Sequence, residues 1–246
     1  MKKLITILLL FNYCLATDYY VRTDGSNANN GLANTSGGAW LTLAHATANT
    51  ASGDIIHVNA GTYIETSQSI LAAGVSIEGA DSSNTVLKSP FLGLFNEFLN
   101  CRSAEGTNGN QHISNIAFDG QGLTFYAIHI AGRSNFKIYN CSFRNFTDMG
   151  IIFTGRNDNN EAAPSTFATG NEFYNNRMVH CASYRHDMMG QGYGYFGLAQ
   201  LNFGGQTGML IYNNYFDQEI GYTWAGDNGN GVGWCIKYAN GGFTRG

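Results

Sequence analysis

The sequence predicts an all-β solenoid, on two observations: an asparagine pattern that recurs at variable spacing, and a composition suited to frequent tight turns. The pattern reads apolar, any residue, Asn, two residues, then a large apolar residue. Its copies are Ile113, Asn115 and Phe118; Ile138, Asn140 and Phe143; Phe173, Asn175 and Met178; and Ile211, Asn213 and Phe216. A pattern that keeps its register while its spacing varies describes stacked coils carrying loops of different length. The 246 residues include 32 glycines, 28 asparagines and only two prolines. Glycine and asparagine enter left-handed backbone conformations most readily, so such a chain can turn often and tightly.

Taken in order, residues 1–16 read as a secretory signal peptide. Lys2 and Lys3 begin it, an apolar run follows over 4–11, and Cys14-Leu15-Ala16 gives a small-residue exit. The apolar run is too short to span a bilayer. The expectation is a secreted protein, extracellular, periplasmic or held at the cell surface, without a membrane span. Residues 17–54 read as an N-terminal cap: a strand over 18–21, a polar Gly/Asn/Ser/Thr loop over 25–38, a small amphipathic helix over 40–51, and a Gly53-Asp54 turn. A terminal cap of this kind covers the open end of a solenoid core. Residues 55–246 are assigned to the solenoid. Its early strands fall at 55–58, 61–63, 75–79, 86–87 and 98–99.

Without Lys2 and Lys3 the chain carries 11 basic and 17 acidic residues. That balance, with no basic run, argues against nucleic acid as a partner. Cys101, Cys141, Cys181 and Cys235 follow neither a CxxC nor a zinc-like spacing. They are read as free or opportunistically paired thiols.

The opening of the chain resembles that of secreted right-handed parallel β-helix proteins, the pectin-lyase-like superfamily. The resemblance rests on Tyr20-Val21, Gly25-Ser26, Gly31, Trp40, Thr42-Leu43, Gly53-Asp54, Val58 and Gly61-Thr62-Tyr63. It implies three short strands per coil, stacked into three parallel sheets, with polysaccharide bound on the first sheet and its flanking loops. It also implies that Asn115, Asn140, Asn175 and Asn213 form a structural ladder at the bend between second and third strands. Asparagine costs little strain there, and stacked amides can hydrogen-bond along the axis.

A second recurring segment lies between the asparagine bends. Residues 127–133, 150–156, 200–206 and 235–240 align as the first strand of successive coils. Side chains alternate along a strand. Ile128, Ile130, Ile151, Phe153, Leu201, Phe203, Ile236 and Tyr238 therefore share the inward face. His129, Ile152, Asn202 and Lys237 stack in an outward column. Coils lie about 4.8 Å apart, close enough for Asn202 and Lys237 to touch one ligand. Long insertions at 156–170, 179–199 and 217–233 flank this sheet and carry Tyr193, Tyr195 and Trp224. Aromatic rings with polar edges suit sugars, which present apolar faces between hydroxyls.

A polysaccharide lyase needs a base for the proton beside a uronic carboxylate and a cation to neutralise that carboxylate. The resemblance implies Arg or Lys as base, often with Ca²⁺. Lys237 is the candidate base, with Arg156 and Arg185 as carboxylate-binding groups. His186, beside Asp187, is a candidate acid or base; Asn202, Tyr193, Tyr195 and Trp224 are candidate substrate contacts. Calcium requires several oxygen ligands. The outward column holds no carboxylate, so Asp187, Glu219 and Asp227 would have to supply them from loops, and no metal ligand is assigned. The sequence thus points to a carbohydrate-active β-helix that binds, and as a lyase cleaves, an acidic polysaccharide. The alternative is a non-catalytic surface or adhesion module. The end of the sequence just after a first-strand segment suggests a fragment of a longer solenoid. Oligomeric state is left open.

Overall fold

A computed structural model describes residues 16–89, 97–147, 150–155, 163–181, 199–217 and 234–238, with side chains described for only Ile236 in the last segment. The fold is a right-handed parallel β-helix with an N-terminal strand-plus-helix cap, almost entirely β. The cap consists of β1 (Asp18–Val21) and α1 (Leu43–Ala48). Then follow β2 (Ile55–Val58), β3 (Gly61–Ile64), β4 (Ser69–Ile70), β5 (Ser76–Gly79), β6 (Thr85–Lys88) and the long β7 (Glu97–Ser114). The central coils contain β8 (Ala117–Asp119), β9 (Tyr126–Tyr139), β10 (Ser142–Arg144), β11 (Ile151–Thr154), β12 (Ala168–Thr169), β13 (Glu172–Tyr174) and β14 (Arg177–Val179). The last described coils contain β15 (Ala199–Phe203), β16 (Gln206–Thr207), β17 (Leu210–Tyr212), β18 (Tyr215–Asp217) and β19 (Trp234–Tyr238).

Every described pairing between these strands is parallel, and three faces emerge from the register. The first face comprises β4, the beginnings of β7 and β9, β11, β15 and β19. The second comprises β1, β2, β5, the ends of β7 and β9, β13 and β17. The third comprises β3, β6, β8, β10, β14 and β18. Strands β7 and β9 bend through the corner between the first two faces and pair with each other on both, with register shifts between Arg102 and Thr107 and between Asn108 and Gln111. Gly132 lies at this corner with φ +69°, and a Cβ there would meet the Ser103 carbonyl oxygen at 2.5 Å. A side chain is excluded on both conformational and steric grounds.

The lumen is filled by the inward residues of each strand, stacked coil on coil. Ile56, Ile77, Ile113, Ile138 and Phe173 line the second face, and Leu87, Phe118, Phe143 and Met178 the third; all are fully buried. Phe118 and Phe143 stack with centroids 5.2 Å apart. Coil stacking thus carries like residues into contact along the axis, the cross-strand pairing that stabilises sheets. On the first face Ile128, Ile130, Ile151, Phe153 and Leu201 occupy the core, as their alternation predicts. Ile236 departs from that expectation and is 42% exposed. Among the described residues β19 pairs only with β15.

The helix is shorter than the 40–51 span expected. Thr42 caps it, its hydroxyl accepting from the His45 N–H at 3.2 Å. The buried Glu65 carboxylate accepts from the Leu43 and Ala44 N–H groups at 2.7 and 3.1 Å. These bonds satisfy donors that a helix start leaves orphaned. Trp40 lies outside the helix, stacks on Tyr19, and donates its indole N–H to the Asn29 carbonyl. Cys101, Cys141 and Cys181 are buried free thiols whose pKa values desolvation pushes up to about 12, so they pack as small apolar groups. No described helix is long and apolar enough to cross a membrane.

Candidate functional site

Parallel pairing places His129 opposite Ile152, Ile152 opposite Asn202, and Asn202 opposite Lys237. Asn100 extends the column on the other side of His129. The column faces away from the lumen: Ile152 packs with Phe125 and Tyr126 in a cluster separate from the main core. It is nevertheless covered. His129 is 5% exposed, Ile152 3% and Asn202 0%. Asn202 points outward, as the alternation predicts, yet is fully buried, so outward direction and solvent exposure part company on this face. Arg156, Arg185, His186, Tyr193, Tyr195 and Trp224 lie outside the described residues, and of Lys237 the structure describes the backbone register alone.

Beside the column lies a charged group that the sequence reading missed. Glu97 and Arg102, both on β7, form an ion pair at 3.1 Å, with the Glu97 side chain 3% exposed. Arg102 Nη2 lies 2.9 Å from His129 Nδ1. A guanidinium only donates, so Nδ1 must accept and the imidazole proton belongs on Nε2. Desolvation, aided by the Arg102 charge, lowers the His129 pKa to about 3. His129 is thus a neutral imidazole at physiological pH. Its Nδ1 is engaged, and its buried Nε2 has no hydrogen-bond partner among the described residues. Such a group can offer a hydrogen bond; it cannot serve as the cationic acid of a reaction near pH 7. Burial raises the Glu97 pKa while Arg102 pulls it back down. The only hint in the sequence was that Glu97 and Arg102 bracket a strand start, Phe98-Leu99-Asn100-Cys101, that carries no other charge.

The outer surface of the second face is built differently. Asp18, His57, Glu78 and His112 form a chain across successive coils, with His57 Nε2–Asp18 and His112 Nε2–Glu78 contacts of 2.8 Å. His57 Nδ1 lies 3.6 Å from Glu78. Further along, Tyr139, Tyr174 and Tyr212 stack with centroids 5.1 and 4.8 Å apart and planes within 6° of parallel. Lys137 and Glu172 form an ion pair of 2.7 Å beside them. Rings stacked on one another spend their faces internally and turn their edges outward, so this row is no open platform for a sugar ring. No cluster of three or more His, Cys, Asp or Glu side chains able to hold a metal occurs among the described residues. Asp187, Glu219 and Asp227 lie outside them.

At the corner between the second and third faces, Asn115, Asn140, Asn175 and Asn213 all adopt left-handed φ values, between 54° and 59°. Asn140 Nδ2 donates to Asn115 Oδ1 at 3.3 Å, closing one rung of an amide ladder. A second amide series lies just inside it. Asn176 Oδ1 accepts from the Cys141 N–H and its Nδ2 donates to the Ile138 carbonyl; Asn214 bonds the Asn176 N–H and the Phe173 carbonyl in the same way. These side chains satisfy main-chain groups of the neighbouring coil that the tight bend would otherwise bury unpaired. The Asn-Asn doublets at 175–176 and 213–214 were its visible signature.

No family model and no curated protein matches the chain. Among solved structures, it is similar to a rhamnogalacturonan lyase, with TM-score 0.54 and 15% identity over 93% of this chain and 62% of the other. It is also similar to an alginate lyase from Paenibacillus, with TM-score 0.50 and 15% identity over 73% of this chain and 55% of the other. The chain therefore spans a little over half the length of these two enzymes. At this identity the likeness is one of fold: the parallel β-helix is an architecture on which polysaccharide lyases are built.

Proposed function

We propose that the protein is a secreted carbohydrate-active β-helix that binds an acidic polysaccharide over the first face and cleaves it by β-elimination. The observation that carries this reading is the register pairing of Asn202 with Lys237 in the outward column of that face. The fold likeness to two polysaccharide lyases supports it. In this reading Lys237 in its neutral form takes the proton beside a uronic carboxylate. The electron pair released forms the sugar double bond, and the glycosidic C–O bond breaks to expel the leaving sugar. Arg156 and Arg185 neutralise the carboxylate, and their charge also lowers the Lys237 pKa toward the range a base requires. His186 protonates the leaving oxygen. Asn202, Tyr193, Tyr195 and Trp224 hold the chain.

Incubation with pectate, alginate, rhamnogalacturonan and glycosaminoglycans, followed by ultraviolet absorbance of the unsaturated product, tests the proposal. Turnover abolished by Lys237→Ala is expected; turnover retained in that variant removes the base assignment. The burial of His129, Ile152 and Asn202 favours a second reading, a non-catalytic surface module. Retention on a glycan array without product formation would establish it.

A further inference from the structure

The amide ladder at the second corner is interrupted. The rung from Asn140 to Asn115 is made, yet among the described residues no side-chain bond joins Asn140 to Asn175 or Asn175 to Asn213, so the Asn175 side-chain amide has no partner there while its backbone N–H bonds the Tyr212 carbonyl. A cavity of about 430 Å³ opens at this point, lined by Ser82, Ser83, Asn140, Ser142, Asn175 and Arg177. Ser142 and Arg177 are register partners on β10 and β14, so the cavity straddles one of the two coil junctions at which no rung is made.

Its chemistry is selective. All the lining side chains named are neutral hydroxyls and amides except Arg177, which is exposed and makes no ion pair among the described residues. The neighbouring cation Arg144 is by contrast committed to Asp119 at 2.9 Å. Asp81, next to Ser82 in sequence, turns its carboxylate onto Ser83 and Asn84, and those bonds hold its pKa down to about 2. It is thus spent within its own turn. The Arg177 guanidinium sits 5.3 Å from the centroid of the Tyr215 ring, which is 55% exposed and supplies an apolar surface at the edge. A guanidinium without a carboxylate, the Ser82 and Ser142 hydroxyls and the Asn175 side-chain amide without partners among the described residues, and an adjacent aromatic ring match a ligand rich in hydroxyls that carries one carboxylate per unit. The volume lies in the range of small-ligand sites.

We infer that this corner is a saccharide-binding site separate from the first face, taking a uronate unit with its carboxylate on Arg177 and a hydroxyl bridging Asn140 and Asn175. The inference relies on the proposed function for the ligand class and not for the location. A bound hydroxyl would complete the missing rung, donating to one amide oxygen and accepting from the other amide nitrogen. A second site about one solenoid face away from the first would hold a long chain while its neighbouring segment is processed.

Isothermal titration of the full chain with galacturonate and guluronate hexamers, and with the methyl-esterified galacturonate hexamer, tests the site. Wild type, Lys237→Ala, Arg177→Gln and Asn175→Ala are compared, with thermal melts confirming that each variant folds. At least one uronate hexamer is expected to bind. Arg177→Gln is expected to weaken binding about tenfold and to flatten its salt dependence, and Asn175→Ala to weaken it by roughly three- to tenfold. Esterification should mimic Arg177→Gln. Affinity unchanged by Arg177→Gln, or by esterification, overturns the site. If Lys237→Ala alone abolishes binding, the first-face reading stands and the corner site falls. If Arg177→Gln alone does so, the reverse holds. Failure of both uronate hexamers to bind wild type removes both.

Discussion

Strands β7 and β9 each cross two faces of the solenoid, and they carry opposite kinds of outer surface on the two. Where they begin, on the first face, Glu97, Arg102 and His129 point away from the lumen and are still largely buried. Where they end, on the second, Lys137 is exposed and His112 and Tyr139 half-buried. The backbone is the same, and the alternation is the same. Strand geometry therefore determines which way a side chain points, whereas the segments laid over each face determine whether it meets water. A charge pair on one face is an element of an interior; on the other it is surface decoration.

The sharpest way to break this contrast is to remove one member of each pair. Arg102→Met leaves the Glu97 carboxylate buried without its cation and is expected to cost about 3–5 kcal/mol in urea denaturation. A cost below about 1 kcal/mol would mean the first face is wet. The next effect is pH dependence. His129 has a folded pKa of about 3, well below its ordinary value. The unfolded chain then binds a proton that the folded chain refuses, so the favourable contribution is complete above about pH 6.5 and is lost as pH falls toward 3. Between pH 6.5 and 5 the loss should reach about 2 kcal/mol, and His129→Phe should flatten that part of the profile. NMR of the His129 ring should show no titration above pH 5, and an ordinary midpoint would refute its burial.

Smaller effects belong to the second face. Tyr174 lies between Tyr139 and Tyr212 in the stack, and Tyr174→Ala should cost about 1–2 kcal/mol from lost ring contacts. Smallest is Lys137→Met, which removes a 2.7 Å ion pair whose lysine is 46% exposed. It should change stability by less than about 1 kcal/mol, and 0.5 M salt should erase the difference.

These contrasts also explain what could be read from the sequence. The bends were legible because a left-handed φ selects asparagine, and Asn115, Asn140, Asn175 and Asn213 mark each one. The register followed from them, so the order His129, Ile152, Asn202, Lys237 could be written down without coordinates. Burial of that column was not legible, since its cover includes Phe125 and Tyr126, which belong to no repeat. The chain Asp18, His57, Glu78 and His112 was equally hidden. Its members are 21 to 39 residues apart along each contact and meet only through coil stacking. The helix was over-extended because Trp40 fits an amphipathic pattern, yet its ring is required against Tyr19 and its N–H at Asn29.

The two-residue asparagine bend has a further consequence, for how such a chain can diversify. The bends at 175–176 and 213–214 carry their own hydrogen bonds to the adjacent coil, through Asn176 and Asn214. Insertions between the third face and the next first-face strand leave those bonds untouched. One corner thus acts as the hinge-pin of a spiral binding while pages of any width are sewn in at another. Lineages of this architecture can trade recognition loops freely, paying mainly the slowly growing entropy of a longer closure.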